Sequence, residues 1–239
     1  MTPEQFFADL LAADPGRPFV TYYDEASGER SELSAKSLAN WVAKTHHLLG
    51  DELGLGTGDT ALIGLPAHWI SVPALLGCLT AGLALTTTAA EADVAFVAPA
   101  TLAAAAGIPD VYAVAPESAA VGFGSAVPEG ALDYVTAVRP HEDKWPGVHF
   151  GAGADDPCMD GRSRAEVAAA ARTRADELGL TSGARVLSTR DWTGYEDWLD
   201  TLLAPLTVGG SVVYVRNCTD PAVLERRVQQ ERITAVLPA

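Results

Sequence analysis

Residues 147–164 read GVHFGAGADDPCMDGRSR and join a short apolar, strand-like run to a long alanine-rich helix. In many α/β proteins a glycine-rich loop in this position holds a phosphate, because backbone N–H groups and the helix N-terminus point at the anion. Here the loop carries Asp155, Asp156 and Asp160, and its first arginine, Arg162, comes only as the helix begins. A carboxylate that contacts a phosphate at about 4 Å costs roughly 1 kcal/mol in water and about 4 kcal/mol at an effective dielectric constant of 20. The sequence therefore predicts a loop that binds no nucleotide, or binds one only through an intervening cation.

Strand and helix patterns alternate on both sides of this loop. The buried strand-like runs are TALIGLP (60–66), ADVAFVAP (92–99), VYAVAP (111–116), ARVLSTR (184–190), GGSVVYV (209–215) and RITAVLPA (232–239). Helical patterns separate them, as in YEDWLDTLLAPL (195–206) and DPAVLERRVQQE (220–231). This alternation predicts an α/β fold with a doubly wound, mainly parallel sheet flanked by helices. Residues 233–237 are predicted to form a buried parallel strand of that sheet.

The length of 239 residues is sufficient for one sizeable core. We expect a single α/β domain over residues 1–239, with a possible internal seam in 117–146, where the pattern is least regular. Residues 60–90 contain no Asp, Glu, Lys or Arg, but Pro66 and Pro73 interrupt the apolar run. This composition favours a buried helix with its strands over a membrane span.

Charge and cysteine content restrict the partners and the compartment. The formal net charge is −15, which disfavours nucleic acids and anionic membrane surfaces as partners. The three cysteines form no CxxC pair, so neither a zinc site nor a disulfide framework is indicated. The N-terminus carries an acidic residue where a signal peptide has a positive region. These features predict a protein of the reducing cytoplasm.

Several side chains of the loop region are candidates for chemistry. The carboxylates that could surround a divalent cation are Asp155, Asp156, Asp160 and Glu142. Hard cations take such oxygens, but the spacing fits no EF-hand, and a solvated acidic loop is the simpler interpretation. Cys158 could act as a nucleophile with His149 or His141 as its base. Neighbouring aspartates disfavour the thiolate, however. We expect Asp155, Asp156 and Met159 to lie in an exposed loop.

Aromatic residues elsewhere have competing interpretations. Trp192, Tyr195 and Trp198 follow one another at intervals of three, so they either line a pocket or face the core, and the core is the simpler interpretation. His68 opens an apolar helix and is predicted to be a capping or core histidine.

The order of several segments resembles the first part of the adenylate-forming enzymes, the AMP-dependent synthetase and ligase superfamily. The segments, in chain order, are GLGTGDTALIGLP (54–66), HWISVPALLGCLTAGLAL (68–85), LGLTSGARVLSTRDW (178–192), LLAPLTVGGSVVYV (202–215) and ERRVQQERITAVLPA (225–239). The resemblance covers nearly the whole chain and about the first half of a usual family member. It implies the α/β fold of the N-terminal domain of acyl-CoA synthetases.

The resemblance also places the family's phosphate loop on residues 151–163. In the family this loop is rich in Ser, Thr and Gly, ends in Pro-Lys-Gly and closes over the ATP phosphates. The positions implied for cofactor binding here are Gly151, Gly153, Asp155, Asp156 and Gly161. The loop contains no lysine, and TRDW (189–192) stands where the family usually has a Pro-Leu-Phe-His segment near the acyl pocket.

These departures lead to two functional hypotheses. The first is a non-catalytic, acyl-CoA synthetase-like module for ligand binding or interaction, without catalytic residues, metal or cofactor. The family's later motifs have no counterpart before Ala239, so the expected partner is a second copy or another protein that covers the face they would occupy. The alternative is an acyl- or aryl-activating ligase that a separate chain completes and that uses ATP or AMP with Mg²⁺.

Overall fold

The structure is a computed structural model that describes residues 1–147 and 152–237. Within these residues the chain forms eight α-helices and twelve strands. The helices are α1 (Pro3–Ala13), α2 (Ala35–His47), α3 (Ser71–Ala81), α4 (Tyr134–Val138), α5 (Arg164–Glu177), α6 (Tyr195–Trp198), α7 (Ala204–Thr207) and α8 (Pro221–Gln230). The strands are β1 (Pro18–Asp24), β2 (Glu29–Ser34), β3 (Thr60–Gly64), β4 (Ala84–Thr86), β5 (Val94–Val97), β6 (Asp110–Ala113), β7 (Leu132–Asp133), β8 (Pro157–Met159), β9 (Arg162–Ser163), β10 (Arg185–Ser188), β11 (Ser211–Arg216) and β12 (Ala235–Val236).

The strands form two sheets, where the sequence pattern predicted one. The first sheet has the order β12-β10-β11-β1-β2, and the second has the order β7-β6-β5-β3-β4-β8-β9. The pairs β1–β2 and β8–β9 are antiparallel, and the other pairs are parallel. The mainly parallel α/β class is therefore confirmed. The prediction of a single sheet was wrong. Strand β1 pairs with β2 on one side and with β11 on the other, so the described strands between residues 60 and 163 pair only among themselves.

One large apolar cluster joins the two sheets through α2 and α3. It contains Phe19 of β1, Phe96 of β5, Leu38 of α2 and Leu75 of α3, all essentially inaccessible to solvent. Every residue of α3 is buried, as the charge-free composition of 60–90 predicted. No helix among the described residues is both long and apolar enough to cross a membrane.

Local signals in the sequence place most helix ends correctly. The hydroxyl of Ser34 accepts a hydrogen bond from the Ser37 N–H at the start of α2. Ser163 and Glu166 form the reciprocal capping box of α5. Gly179 follows the end of α5 with a φ of +65°, a conformation that glycine adopts without strain. The helical pattern at 195–206 forms α6 and α7, joined by the π-helical turn Leu199–Leu203.

The acidic loop is more ordered than predicted. Its second half folds into the β8–β9 hairpin, and β8 pairs with β4 at Leu85 and Met159. Met159, expected in an exposed loop, is 1% exposed because this pairing places it in the core. Asp155 is exposed and Asp156 is half-buried.

The C-terminal strand is shorter and more exposed than predicted. Ala235 and Val236 pair in register with β10, and the Thr234 and Leu237 N–H groups donate to the Arg185 and Leu187 carbonyls at 2.9 Å. Val236 is 52% exposed, Ile233 is half-buried and Leu237 is buried. The predicted parallel strand is therefore confirmed at Ala235–Val236, and the prediction that 233–237 is buried throughout was wrong. As an edge strand, β12 pairs on one side only, and alternate side chains point away from the core.

Candidate functional site

A large crevice lies where the carboxyl ends of parallel strands from both sheets meet. Strands β1 and β11 end there from the first sheet, and β3, β5 and β6 from the second. The crevice encloses about 930 Å³, within the usual range for small-molecule sites. Its walls include Tyr22, Asp24, Ser27, Glu29, Pro66, His68, Ala98, Pro99, Ala100, Pro116, Glu117, Asp191, Arg216 and Asn217. Open α/β sheets bind ligands at this position, so the crevice is the principal candidate site.

Asp191 links the two sheets in the wall of the crevice. One carboxylate oxygen accepts a hydrogen bond of 2.7 Å from the Ala67 N–H, which follows β3. The other accepts one of 2.5 Å from the Arg216 guanidinium, at the end of β11. Arg216 also donates to the Thr189 carbonyl at 2.8 Å. Two residues of the TRDW segment, Thr189 and Asp191, therefore hold Arg216 in the wall of this crevice. A second cavity of about 390 Å³, also lined by Asp191, adjoins Trp192 and Thr193.

His68 is the most buried polar side chain of the crevice. It is 1% exposed, and its ring centroid lies 4.1 Å from that of Tyr22. Its Nδ1 accepts a hydrogen bond of 3.2 Å from the Ile70 N–H. Ile70 is itself the N-cap of α3, so the core alternative of the prediction is confirmed and the capping alternative is not. Its Nε2 has no hydrogen-bond partner among the described residues and lies 3.8 Å from Oε2 of Glu29. Burial lowers the pKa of His68 to about 3, so the ring is neutral at neutral pH.

The charges of the crevice are mainly negative. Asp24, Glu29, Glu117 and Asp191 face one cation, Arg216, among the described lining residues. Burial is the main cause that raises the pKa of Tyr22, and Asp24 and Glu29 add to it. Arg216 is bound to Asp191, so the other three carboxylates have no cationic partner among the described lining residues. Asp24 accepts hydrogen bonds from neutral donors, namely the Asn217 amide, the Ala26 N–H and the Ser27 hydroxyl.

In the loop that was predicted to bind phosphate, the carboxylate of Asp156 accepts a hydrogen bond from the loop backbone and closes a turn. The Gly153 N–H donates to Oδ2 of Asp156 at 2.6 Å, and the Asp156 N–H donates back to the Gly153 carbonyl at 3.3 Å. The side chain of Asp156 thus occupies a backbone donor that a phosphate would need. Asp155 is exposed beside this turn. Gly151, the remaining loop glycine predicted to bind, lies outside the described residues.

Gly161 lies apart from this turn, in the tip of the β8–β9 hairpin. With Asp160 and Arg162 it lines a small cavity of about 340 Å³. Arg162 forms an ion pair with Asp160 and lies over the Tyr195 ring, 4.4 Å from its centroid. The structure therefore separates the predicted site residues: Gly153 and Asp156 form one turn, and Gly161 belongs to another.

The described residues support neither cation binding by the loop carboxylates nor nucleophilic catalysis by Cys158. No group of three His, Cys, Asp or Glu side chains gathers at one point in residues 1–147 and 152–237, so the carboxylates proposed for a cation do not converge. Cys158 is buried, and burial raises the pKa of its thiol to about 12, which disfavours the thiolate. His141 contacts Glu52 with Nε2 and Oε2 3.0 Å apart, and His149 lies outside the described residues. Trp192, Tyr195 and Trp198 are buried in the core as predicted. Trp192 also lines the second cavity, and Tyr195 and Trp198 also line the small cavity at the hairpin, so both alternatives hold.

Sequence patterns did not point to most of the crevice. Glu29 and Asp24 flank the hairpin turn after β1, and Arg216 ends β11. In the sequence these residues are marked only by their positions directly beside strand ends. Those positions indicate a common site only when the order of the strands in the sheets is known.

Solved structures define the class of fold. An acyl-CoA synthetase from Brucella canis superposes with a TM-score of 0.78 and 18% identity, over 99% of this chain and 47% of its own. The anthranilate CoA ligase AuaEII, solved with anthranoyl-AMP, gives a TM-score of 0.73 and 13% identity, over 99% and 49%. Acetoacetyl-CoA synthetase from Streptomyces lividans gives 0.75 and 18%, over 97% and 41%. The protein has the α/β fold of these synthetases and spans less than half of their length, as the sequence resemblance implied.

A relative of similar length identifies the family. The TIGR03089 family protein of Mycobacterium tuberculosis is 42% identical over 234 residues, which cover 95% of this chain and 94% of the relative. No model in a scan of protein families matches the chain. The chain belongs to the TIGR03089 family.

Proposed function

We propose that the protein is a non-catalytic, synthetase-like module that binds a small ligand in the strand-end crevice. The observation that carries this proposal is the crevice itself, which lies where α/β sheets bind ligands and has polar groups set among apolar walls. Its apolar side consists of Pro66, Ala98, Pro99 and Pro116.

The loop supports the non-catalytic part of the proposal. A phosphate at the Gly153 N–H would have to displace the Asp156 carboxylate, and Arg162 is engaged by Asp160. A phosphate beside these aspartates would meet like charges at a cost of roughly 1 to 4 kcal/mol per contact. The described part of the loop therefore suits a closed turn better than a phosphate cradle.

Acyl or aryl activation with a separate partner chain is the second candidate. The fold shared with acyl-CoA synthetases and with a ligase solved with anthranoyl-AMP favours it. Its substrates would be carboxylates, which the negative charges of Asp24, Glu29 and Glu117 in the crevice would repel. The expected partner chain or second copy stays a prediction, to be checked by light scattering.

A thermal-shift screen with a blocked crevice tests the proposal. The probes are ATP, AMP, CoA, small carboxylic acids and small amines. Ala100 is exposed and lines both the crevice and the adjoining second cavity, so Ala100→Trp should obstruct this region without disturbing the core. Ala103 is exposed on the same 3₁₀ segment, Pro99–Ala105, outside the crevice lining, and Ala103→Trp is the matched control.

We expect at least one probe to stabilise the wild type and the A103W variant but not the A100W variant. If every stabilising probe acts equally on both variants, the crevice is not the binding site and the proposal fails.

A further inference from the structure

One buried polar atom in the wall of the crevice, Nε2 of His68, has no hydrogen-bond partner among the described residues. The His68 side chain is almost completely buried. Because Nδ1 accepts from the Ile70 N–H, the proton of the neutral ring lies on Nε2. The side chain therefore presents a buried N–H donor, and such donors are normally paired. A ligand at this point has to offer a hydrogen-bond acceptor.

The neighbouring Glu29 carboxylate, in contrast, requires a ligand group that donates a hydrogen bond. Its Oε1 accepts hydrogen bonds from Nε1 of Trp69 at 3.1 Å and from the Ser31 hydroxyl at 2.8 Å. These bonds fix the carboxylate and leave Oε2 beside His68, at 3.8 Å from Nε2. Since both side chains line the crevice, a bound group has to accept from His68 while its neighbour donates to Glu29.

The charges of the residues that line the crevice favour a cationic ligand. Asp24 and Glu117 add two carboxylates to Glu29, and Arg216 is held by Asp191 and the Thr189 carbonyl. A positive ligand is attracted by three carboxylates that have no cationic partner among the described lining residues, whereas a carboxylate ligand is repelled by them.

We propose that the crevice binds a small organic amine with an oxygen acceptor next to its charge, the ammonium group at Glu29 and Asp24 and the oxygen at Nε2 of His68. The apolar part of the amine packs against Pro66 and Pro99. The inference rests on the proposed function and narrows it to a ligand class. It also separates this protein from enzymes whose substrate in such a crevice is a carboxylate.

Three compounds with the same aromatic body test this ligand class. Phenylalaninamide carries an ammonium group and an amide oxygen, 3-phenylpropanamide carries the amide alone, and 3-phenylpropanoate carries a carboxylate. Each is titrated into the ¹⁵N-labelled full chain at about pH 6.5, below the pKa of an α-amino group. We expect only phenylalaninamide to give saturable shifts at backbone amides of 27–29 and 67–70, and added salt to weaken its binding.

Variants test the role of the carboxylate. Glu29→Gln keeps an acceptor for Trp69 and removes the charge, and it should weaken phenylalaninamide binding by at least about tenfold, as expected for loss of a charge-assisted hydrogen bond. Glu129→Gln changes the net charge equally at an exposed position outside the crevice and should leave binding unchanged. Phenethylamine, which lacks the oxygen for His68, should bind more weakly than phenylalaninamide.

The outcomes separate this inference from the proposed function. Saturable shifts with 3-phenylpropanoate and none with phenylalaninamide would overturn the amine assignment and leave ligand binding by the crevice intact. Equal binding of phenylalaninamide to the wild type and to E29Q would also overturn it, as would no binding of any probe. If every stabilising probe instead acts equally on the A100W and A103W variants, the crevice is not the ligand site and the proposed function fails.

Discussion

His68 shows how one residue couples the candidate site to stability. Burial lowers its pKa to about 3 in the folded protein, whereas an unfolded histidine titrates near about 6.5. Below about pH 6.5 the unfolded chain therefore binds a proton that the folded chain does not, and acid favours unfolding. The stability that neutral His68 contributes is complete above about pH 6.5 and is lost as the pH falls toward 3.

This linkage predicts a measurable difference for His68→Asn. The asparagine oxygen can take over the hydrogen bond from the Ile70 N–H, and asparagine does not titrate. Between pH 7 and 5 we expect the wild type to lose about 2 kcal/mol more unfolding free energy than the variant. Urea unfolding at both pH values measures it. The same pH dependence in the two proteins would show that folded His68 titrates near the ordinary pKa of histidine.

Asp156 and Asp155 are adjacent but differ in role. Asp156 accepts the hydrogen bond from the Gly153 N–H that closes the loop, while Asp155 is exposed. Asp156→Ser should cost about 1 to 2 kcal/mol of unfolding free energy, and Asp155→Ser should stay within about 0.5 kcal/mol. Chemical denaturation of the two variants compares them directly. Equal effects would argue against the closed turn.

At the scale of elements, α2 and α3 approach each other closely at one glycine. A Cβ placed on Gly77 of α3 would lie 2.4 Å from Cβ of Thr45 in α2. Thr45 cannot move freely, because its hydroxyl bonds the Trp41 carbonyl at 2.9 Å and the Tyr134 hydroxyl at 2.7 Å. The contact therefore requires glycine, although glycine weakens a helix.

This contact predicts that Gly77→Ala destabilises the protein by about 1 to 3 kcal/mol, despite the better helix propensity of alanine. Gly50, in the π-helical turn after α2, is the matched control, since the nearest atom to its added Cβ is 4.0 Å away. Gly50→Ala should be neutral or stabilising by up to about 1 kcal/mol. Thermal unfolding compares the two variants, and a stable G77A protein would mean that the helices can separate without cost.

Individual elements could be predicted from sequence because their signals are local. Ser34 and Ser163 mark helix starts, Gly179 marks a helix end, and the turn at Gly28 marks the β1–β2 hairpin. The β8–β9 hairpin could not be predicted, since its stability depends on the long-range pairing of Met159 with Leu85.

In the whole molecule, the order of the strands within the two sheets fixes the position of the candidate site, and this order could not be predicted from the sequence. Strand β1 pairs with β11, about 190 residues later in the chain, and apolar periodicity alone carries no information on such pairing. The two sheets, the crevice between their strand ends and the bridge from Asp191 to Ala67 all follow from that order. For the same reason, sequence analysis placed the candidate site in the loop and missed Glu29 and Arg216.

The central claim is that the protein binds a ligand through this fold without activating it. ATP–pyrophosphate exchange tests the claim most directly, with the purified protein alone, Mg²⁺ and a panel of aliphatic and aromatic carboxylic acids. Two of its structural neighbours, an acyl-CoA synthetase and an anthranilate CoA ligase, serve as positive controls. We expect no exchange above the protein-free background for any acid. Acid-dependent exchange by this chain that is lost in the A100W variant would contradict it.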